Sequence, residues 1–424
     1  MTESLEHYIQ TIKQFLLKDF RDMYRERGGA MEHPFLTPGG AQYSDVLWDW
    51  DSWLSNVALR QILKRLASPE EYENALPYER GCVLNFLGCS GNLGMDGWAP
   101  IWMERSGVSK PGDIFSENMH KPCLAQHAAF LIKEDGGDAE WIRDSAYTLQ
   151  RFINNYRNHH RHECGLFFWQ NDKAIGVDND PCTFGRPPRS SGSIFLSCLM
   201  YRELLALAYI LSRLNLGEVA EQYSQDAEHL KRAIQEYSWD ERDGFFYSVD
   251  MNLYPAERRK WTLHSGQPRD WPCLIQRIGV WSGFLALWAG IATPEQARRM
   301  AQEHYRNEKT FGASYGVRTL SKMEKMYNLR ASGNPSSWLG PVWGVSNYLV
   351  FRGFVRYGLK EEARDLAEKT ISLFARDFER FGALHENYQP DNGEPILNRG
   401  FQNWNYLVLN MISWLEESGA VEEF

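Results

Sequence analysis

No stretch of this chain is rich in lysine, and over its 424 residues the formal net charge is −9. Proteins that bind nucleic acid or anionic membranes need a basic stripe to meet phosphates, so both partner classes are disfavoured. No uninterrupted apolar run approaches the roughly 20 residues that cross a bilayer. The opening residues, Met1-Thr2-Glu3-Ser4-Leu5-Glu6, lack the basic-then-apolar order of a secretory signal. Cysteine is sparse and odd in number, at Cys82, Cys89, Cys123, Cys164, Cys182, Cys198 and Cys273. None forms a C-x-x-C pair, so neither a zinc ribbon nor a disulfide framework is indicated. These absences point to reduced thiols in a cytoplasm. No Pro-, Ser- or Gly-rich linker divides the chain, so residues 1–424 read as a single domain. Whether copies associate as a homo-oligomer is left open.

What the chain does have is aromatic rings: 16 Trp, 20 Tyr and 22 Phe. Such rings fill cores, and their flat faces also suit the C–H-rich faces of sugars. Helical periodicity recurs from end to end. It predicts helices over 4–27, 52–66, 70–87, 118–133, 139–159, 193–214, 217–237, 275–289, 294–305, 341–357, 360–380 and 401–416. Gly217 opens one, Thr293-Pro294 supplies a cap and first turn for another, and Gly358 follows a third. Strand-like pieces are confined to 165–170 and 244–249. Segments 193–214 and 341–357 are apolar nearly all round, whereas 217–237 and 360–380 carry a charged face. That alternation suits inner and outer helices of an all-α (α/α)6 barrel, with the pocket built from loops at one end. A solenoid would show a repeated sequence period, and none is visible.

Polar residues interrupt the pattern among aromatics in a few places. Tyr43-Ser44-Asp45-Val46-Leu47-Trp48-Asp49-Trp50-Asp51-Ser52-Trp53 alternates carboxylates with tryptophans. Carboxylates there can grip sugar hydroxyls while the rings cover the sugar face; Asp51 or Ser52 can equally cap the next helix. Asp49-x-Asp51 also matches the short D-x-D of nucleotide-sugar transferases, but no βαβ pattern surrounds it. A second loop, Ala174-Ile175-Gly176-Val177-Asp178-Asn179-Asp180-Pro181, precedes an apolar helix and leads to Phe184-Gly185-Arg186-Pro187-Pro188-Arg189. It lacks the glycine and distal glutamate of an EF-hand. A third, residues 382–395, contains His385-Glu386-Asn387-Tyr388 between the last two helices. Residues 333–343 read as a turn into a helix, with Trp338 and Trp343 packed beside it.

In this order, these segments resemble glycoside hydrolase family 63 and its relatives, nearest the short bacterial branch of mannosylglycerate and glucosylglycerate hydrolases. Trp50-Asp51-Ser52 is similar to the W-D-S/T motif shared with family 37 trehalases. Trp338-x-Gly340-Pro341-Val342-Trp343 with Asn347-Tyr348 is similar to the clan's W-x-G-P-I/V-W…N-Y signature. Lys121-Pro122-Cys123-Leu124-Ala125 is a degraded Q/K-P-P-L-x-A segment. Trp239-Asp240, Gly244-Phe245-Phe246-Tyr247 and Leu287-Trp288-Ala289-Gly290 match further stretches. The resemblance implies the same barrel, a general acid at Asp178 and a general base at Glu386, with Asp180 the competing acid. It implies sugar contacts at Tyr43, Trp48, Trp50, Asp51, Lys121, Trp338, Gly340, Trp343 and His385, and no metal or cofactor. The partner it implies is a small carbohydrate, an α-glucoside or α-mannoside cleaved with inversion.

Inversion needs a protonated carboxyl on the leaving oxygen and an ionised one about 6.5–9.5 Å away, behind the anomeric carbon. Asp178 would then need a raised pKa, while Glu386 stays charged. Cys123 replaces a usual proline and Lys121 a common glutamine, both able to shift subsite preference. Glucosylglycerate and mannosylglycerate carry a carboxylate, for which Arg186, Arg189 and Arg318 are the candidate partners. A sugar epimerase on the same barrel would use facing histidines, and His120, His127, His264 and His385 offer no persuasive pair. A non-catalytic sugar-binding paralogue would have lost a carboxylate that this chain keeps. Residues 184–189 are the candidate mobile loop.

Overall fold

The computed structural model describes residues 3–40, 43–92, 97–108, 111–253, 271–330 and 336–424. His264 and residues 333–335 lie outside the described residues. Twelve α-helices are present among the described residues. In chain order they are α1 (Glu3–Asp19), α2 (Asp49–Arg65), α3 (Pro69–Asn92), α4 (Leu124–Glu134), α5 (Ala146–His159) and α6 (Ile194–Arg213). There follow α7 (Gly217–Tyr237), α8 (Leu285–Trp288), α9 (Pro294–Arg299), α10 (Gly344–Arg356), α11 (Lys360–Phe381) and α12 (Val408–Leu415).

The even-numbered helices touch in sequence, α2 to α4, α6, α8, α10 and α12, and α12 returns to α2 to close the ring. Odd-numbered helices pack outside, α7 on α6, α11 on α10 and α1 bridging to α11. This is the (α/α)6 barrel expected from the alternation of all-apolar and one-faced segments. Every residue of α2 from Asp49 to Leu63 is buried, whereas α7 buries one stripe including Ala220, Tyr223, Ala227, Leu230 and Ile234. A ring helix has neighbours on every side, so a charged face on it would have no water to meet. One hydrophobic core runs from Leu5 to Val421.

Helix α6 has the length and composition of a membrane span, but 83% of that stretch is buried between its neighbours, as an inner helix must be. Local punctuation follows the expected chemistry. Thr293 and Gln296 form a capping box at α9, and Gly382 ends α11 in the left-handed region. Several expected helices begin later or change character. Residues 275–289 hold only α8 and the 3-10 turn Trp281–Phe284, with Leu274–Ile275 in a strand. Residues 118–123 are irregular, because their backbone serves Asp49 and Ala99 instead of a helix.

Short strands cluster at one end, where the long connections lie. Val46–Trp48 pairs antiparallel with Trp102–Glu104, in the register Trp48 opposite Trp102. Val342–Trp343, His385–Tyr388 and Pro395–Arg399 form a three-stranded sheet. That sheet was not expected: residues 382–395 read as a loop because four strand residues among turn signals give too little alternation.

Candidate active site

The strand Val46–Trp48 runs straight into α2, and its carboxylates are buried at that junction. Asp49 accepts hydrogen bonds from the backbone N–H of Trp50 at 2.7 Å and of Lys121 at 2.9 Å. Both its oxygens lie 2.9 Å from Lys121 Nζ. The paired ammonium sits 5.6 Å from the centre of the Trp50 ring. Asp51, two residues on, accepts from Asn403 Nδ2. Burial pushes its carboxyl up to about 8, with Asp49 adding to the rise and Lys121 opposing it.

The loop that carries Asp178 is held at both ends. Asn118 accepts from Gln170 N–H at 2.9 Å and donates to the carbonyl of Lys173 at 2.8 Å. Gly176 then passes so close to the first motif that a Cβ there would stand 2.4 Å from Lys121 Cε and 3.2 Å from the Trp50 ring. Its φ of +89° adds a second reason for glycine. Asn179 Oδ1 accepts from Trp338 N–H at 2.9 Å, which ties the loop to the fourth motif. Asp178, between these anchors, is half-buried. Asp180 turns away and accepts from Cys182 N–H at 2.8 Å, the bond of a local turn.

Glu386 lies on the central strand of the three-stranded sheet, beside Val342–Trp343. Its side chain is only 3% exposed. Tyr43 Oη donates to Oε1 at 3.1 Å, and Asn398 Nδ2 donates to Oε2. Burial raises its carboxyl to about 7, the two donors pull it back, and the charge of Asp178 pushes the same way as burial. This differs from the expectation that Asp178 is the raised group: in the empty cleft, the more deeply buried carboxyl is Glu386.

These elements enclose a cleft of about 650 Å³ lined by Tyr43, Trp48, Trp50, Asp51, Lys121, Asp178, Trp338, Trp343 and Glu386. Its walls are aromatic: Trp338 stacks on Trp343 at 4.2 Å and 11°. Trp50 meets Trp404 at 5.1 Å. The volume suits a small ligand.

The model of the mannosylglycerate hydrolase MGH1-like glycoside hydrolase domain matches residues 44–405. The chain belongs to that family. Similar curated proteins include the cytosolic neutral trehalase of Kluyveromyces lactis, 26% identical over 260 residues, 58% of this chain and 31% of that protein. Another is a mannosylglycerate hydrolase of Thermus thermophilus, 30% identical over 173 residues, 38% of this chain and 32% of that one. The chain thus spans about a third of the length of these relatives. A glycoside hydrolase family 63 mannosylglycerate hydrolase of Thermus thermophilus, solved in complex with glucose, superposes with a TM-score of 0.63 at 19% identity. That superposition covers 95% of this chain and 98% of the solved one, so the barrel is shared along nearly its whole length.

Not every residue suggested by the family resemblance reaches this glycoside hydrolase cleft. The three arginines do not line it, each being engaged elsewhere. Arg186 pairs with Asp250 at 2.8 Å, and Arg189 donates to the Phe115 carbonyl at 3.3 Å. Arg318 is buried, bonded to the Gly312 carbonyl and to Asp391 at 2.5 Å. Gly340 also stands outside; its part is steric, since a Cβ would come within 2.5 Å of the Tyr327 ring. His385 points away from Glu386 to Asp377, 3.0 Å from Nδ1, and so anchors the strand on α11. His120, against the Lys121 carbonyl at 2.6 Å, and His127, against Asn56 at 2.7 Å, are buried outside the cleft. Burial depresses them to about 4 and about 3. No histidine pair faces the cleft among the described residues, which removes the geometric basis for an epimerase.

Sequence reasoning missed Trp404, Asn398, Trp102, Asp172 and Lys173. Trp404 and Asn403 belong to the 3-10 turn Asn403–Leu407, inside a segment read as one amphipathic helix. The polar run Gln402-Asn403 at the head of that apolar segment was the available signal. Asn398, at φ +48°, had none.

Proposed function

We propose that the protein is an inverting, exo-acting α-glycosidase, with Asp178 as general acid and Glu386 as general base. The reading is carried by one juxtaposition: a half-buried carboxyl and a deeply buried one, electrostatically coupled, in one aromatic-walled cleft. Asp178 would give its proton to the glycosidic oxygen as the anomeric C–O bond breaks. Glu386 would take a proton from the water attacking the opposite face, leaving the sugar with inverted configuration. A base near 7 suits that task, because a more basic carboxylate draws the water proton more strongly while remaining half ionised at neutral pH. Asp178 lies where a bound aglycone would shield it from water, and that desolvation would raise it into the acid's range. Asp51, over the Trp50 face, is placed to accept hydroxyls of the glycone.

The glycone in this reading is glucose or mannose. Glucosylglycerate and mannosylglycerate, the sharpest expectation from the sequence, would rely on Lys173, since Lys121 already pairs with Asp49. We further propose that residues 1–424 form one catalytic domain working in the cytoplasm. The free cysteines and the cytosolic neutral trehalase among the relatives support that.

Proton NMR of the purified enzyme with α-glucosides and α-mannosides, including both glycerate glycosides and trehalose, tests the mechanism. Initial release of the β-anomer, abolished in Asp178→Asn and Glu386→Gln, is the expected result. Initial release of the α-anomer would overturn the assignment.

A further inference from the structure

The cleft does not stop at its carboxylates. Ile101, Trp102 and Lys173 line it and also line a second chamber of about 370 Å³, which continues past Trp98, Glu104, Glu117 and Asn118. We propose that this chamber is a second aglycone subsite for a neutral sugar ring, so that the substrate carries at least two sugar units beyond the bond that is cut. The proposal rests on the hydrolase reading of the adjoining cleft and fixes its substrate class.

Direction comes from the loop that carries Asp178. A general acid stands against the leaving oxygen, so its side of the cleft is the aglycone side. The same loop supplies Asp172 and Lys173 at the mouth shared by the two chambers, and Asn118, in the wall of the second, holds the Lys173 carbonyl at 2.8 Å. One ring would lie at the junction over Trp102, which is 37% exposed and packs 5.2 Å from Trp48. The next ring would enter the chamber.

Charge selects the occupant. The described acids of the two linings are Asp51, Asp172, Asp178, Glu386, Glu104 and Glu117, against Lys121 and Lys173. Lys121 is neutralised by Asp49. A carboxylate-bearing aglycone would enter between Glu104 and Glu117 with one ammonium to offset them, and like charges facing across an interface are costly. Sugar hydroxyls donate to carboxylates and accept from Lys173, while a pyranose face covers an indole. An uncharged carbohydrate satisfies every group on this wall.

Calorimetric binding to Glu386→Gln tests this. The ligands are α-1,2-, α-1,3-, α-1,4- and α-1,6-linked glucose and mannose disaccharides, the matching trisaccharides, and both glycerate glycosides. For at least one linkage the third ring should tighten binding about tenfold, the scale of one added ring contact. Adding Trp102→Ala, or separately Glu117→Ala, should remove that gain. The proposal is overturned if no linkage gains from the third ring, if the gain survives both substitutions, or if a glycerate glycoside binds more tightly than every trisaccharide. Hydrolysis of α-glucosyl and α-mannosyl fluoride by the unaltered enzyme is scored separately. These substrates have no aglycone ring, so failure there counts against the hydrolase reading and leaves the binding result to judge the chamber.

Discussion

Tyr43 and Glu386, 343 residues apart in the chain, meet through a hydrogen bond of 3.1 Å from the phenol to the carboxylate. The bond links the strand-and-helix unit at the start of the barrel to the hairpin near its end. A donor to the charged form favours ionisation, and both Tyr43 and Asn398 hold the Glu386 carboxyl down against burial. With Glu386 as base, kcat/KM should rise with pH through a midpoint near 7. Tyr43→Phe should move that midpoint upward by about one pH unit, the worth of one hydrogen bond to a charged group. A pH profile of kcat/KM checks it, and a midpoint that stays put or moves down would contradict the role.

The two carboxyls can be told apart by leaving group. Fluoride departs without protonation, so a glycosyl fluoride needs the base and not the acid. Asp178→Asn should lose roughly 10²–10⁴ in rate on ordinary glycosides, the scale of general-acid assistance, and keep most of its rate on the fluoride. Glu386→Gln should lose both. The opposite pattern would exchange the two roles.

Much of the barrel was legible because the information is periodic. A ring helix must be apolar all round and an outer helix on one side only, so α2, α6, α7, α10 and α11 could be bounded within a few residues. The candidate site was legible only where rare residue types cluster, as at Trp48–Asp51 and Trp338–Trp343. Asn398 and Lys173 come from stretches without such a cluster, and only the pairing of Pro395–Arg399 and the Asn118 contact bring them to the cleft. The arginines misled because their charge suits a carboxylate equally well whether it belongs to a ligand or to Asp250 or Asp391.

Gly176 offers a test of positioning. An alanine there must clear Lys121 Cε, 2.4 Å from its Cβ, and adopt φ near +89°. The loop can relieve this only by lifting Asp178 from its place. Gly176→Ala should therefore cut kcat by about 100-fold, the effect of misplacing a catalytic group by about 1 Å. A glycosyl fluoride, which does not use Asp178, should be affected far less. Equal losses on both substrates would mean that the change reaches beyond Asp178.

Asp49 and Lys121 are almost wholly buried, at 0% and 3% side-chain exposure. Removing one partner leaves the other charge in a low-dielectric site, at a cost of about 3–5 kcal/mol. Asp49→Asn or Lys121→Met should each lower stability by about that amount in chemical denaturation. The double variant should lose less than the sum, because the second change removes the stranded charge. Strict additivity would mean that the pair is not coupled.

Asp51 should make the fold sensitive to pH in an unusual direction. Its carboxyl rises from 3.8 to about 8 on folding, and Glu386 rises from 4.5 to about 7. A carboxyl raised on folding binds its proton more tightly in the native state, so its contribution is full below the unfolded value and is lost as pH climbs to the folded one. Stability from these two groups should fall between about pH 4 and pH 8. Asp51→Asn keeps an acceptor for Asn403 but cannot ionise. Its melting temperature should therefore decline less across that window than that of the unaltered protein, with the gap widest near pH 8. Parallel curves for the two proteins would show that Asp51 is ionised in the folded state throughout, as it would be if the charge of Lys121 outweighed burial.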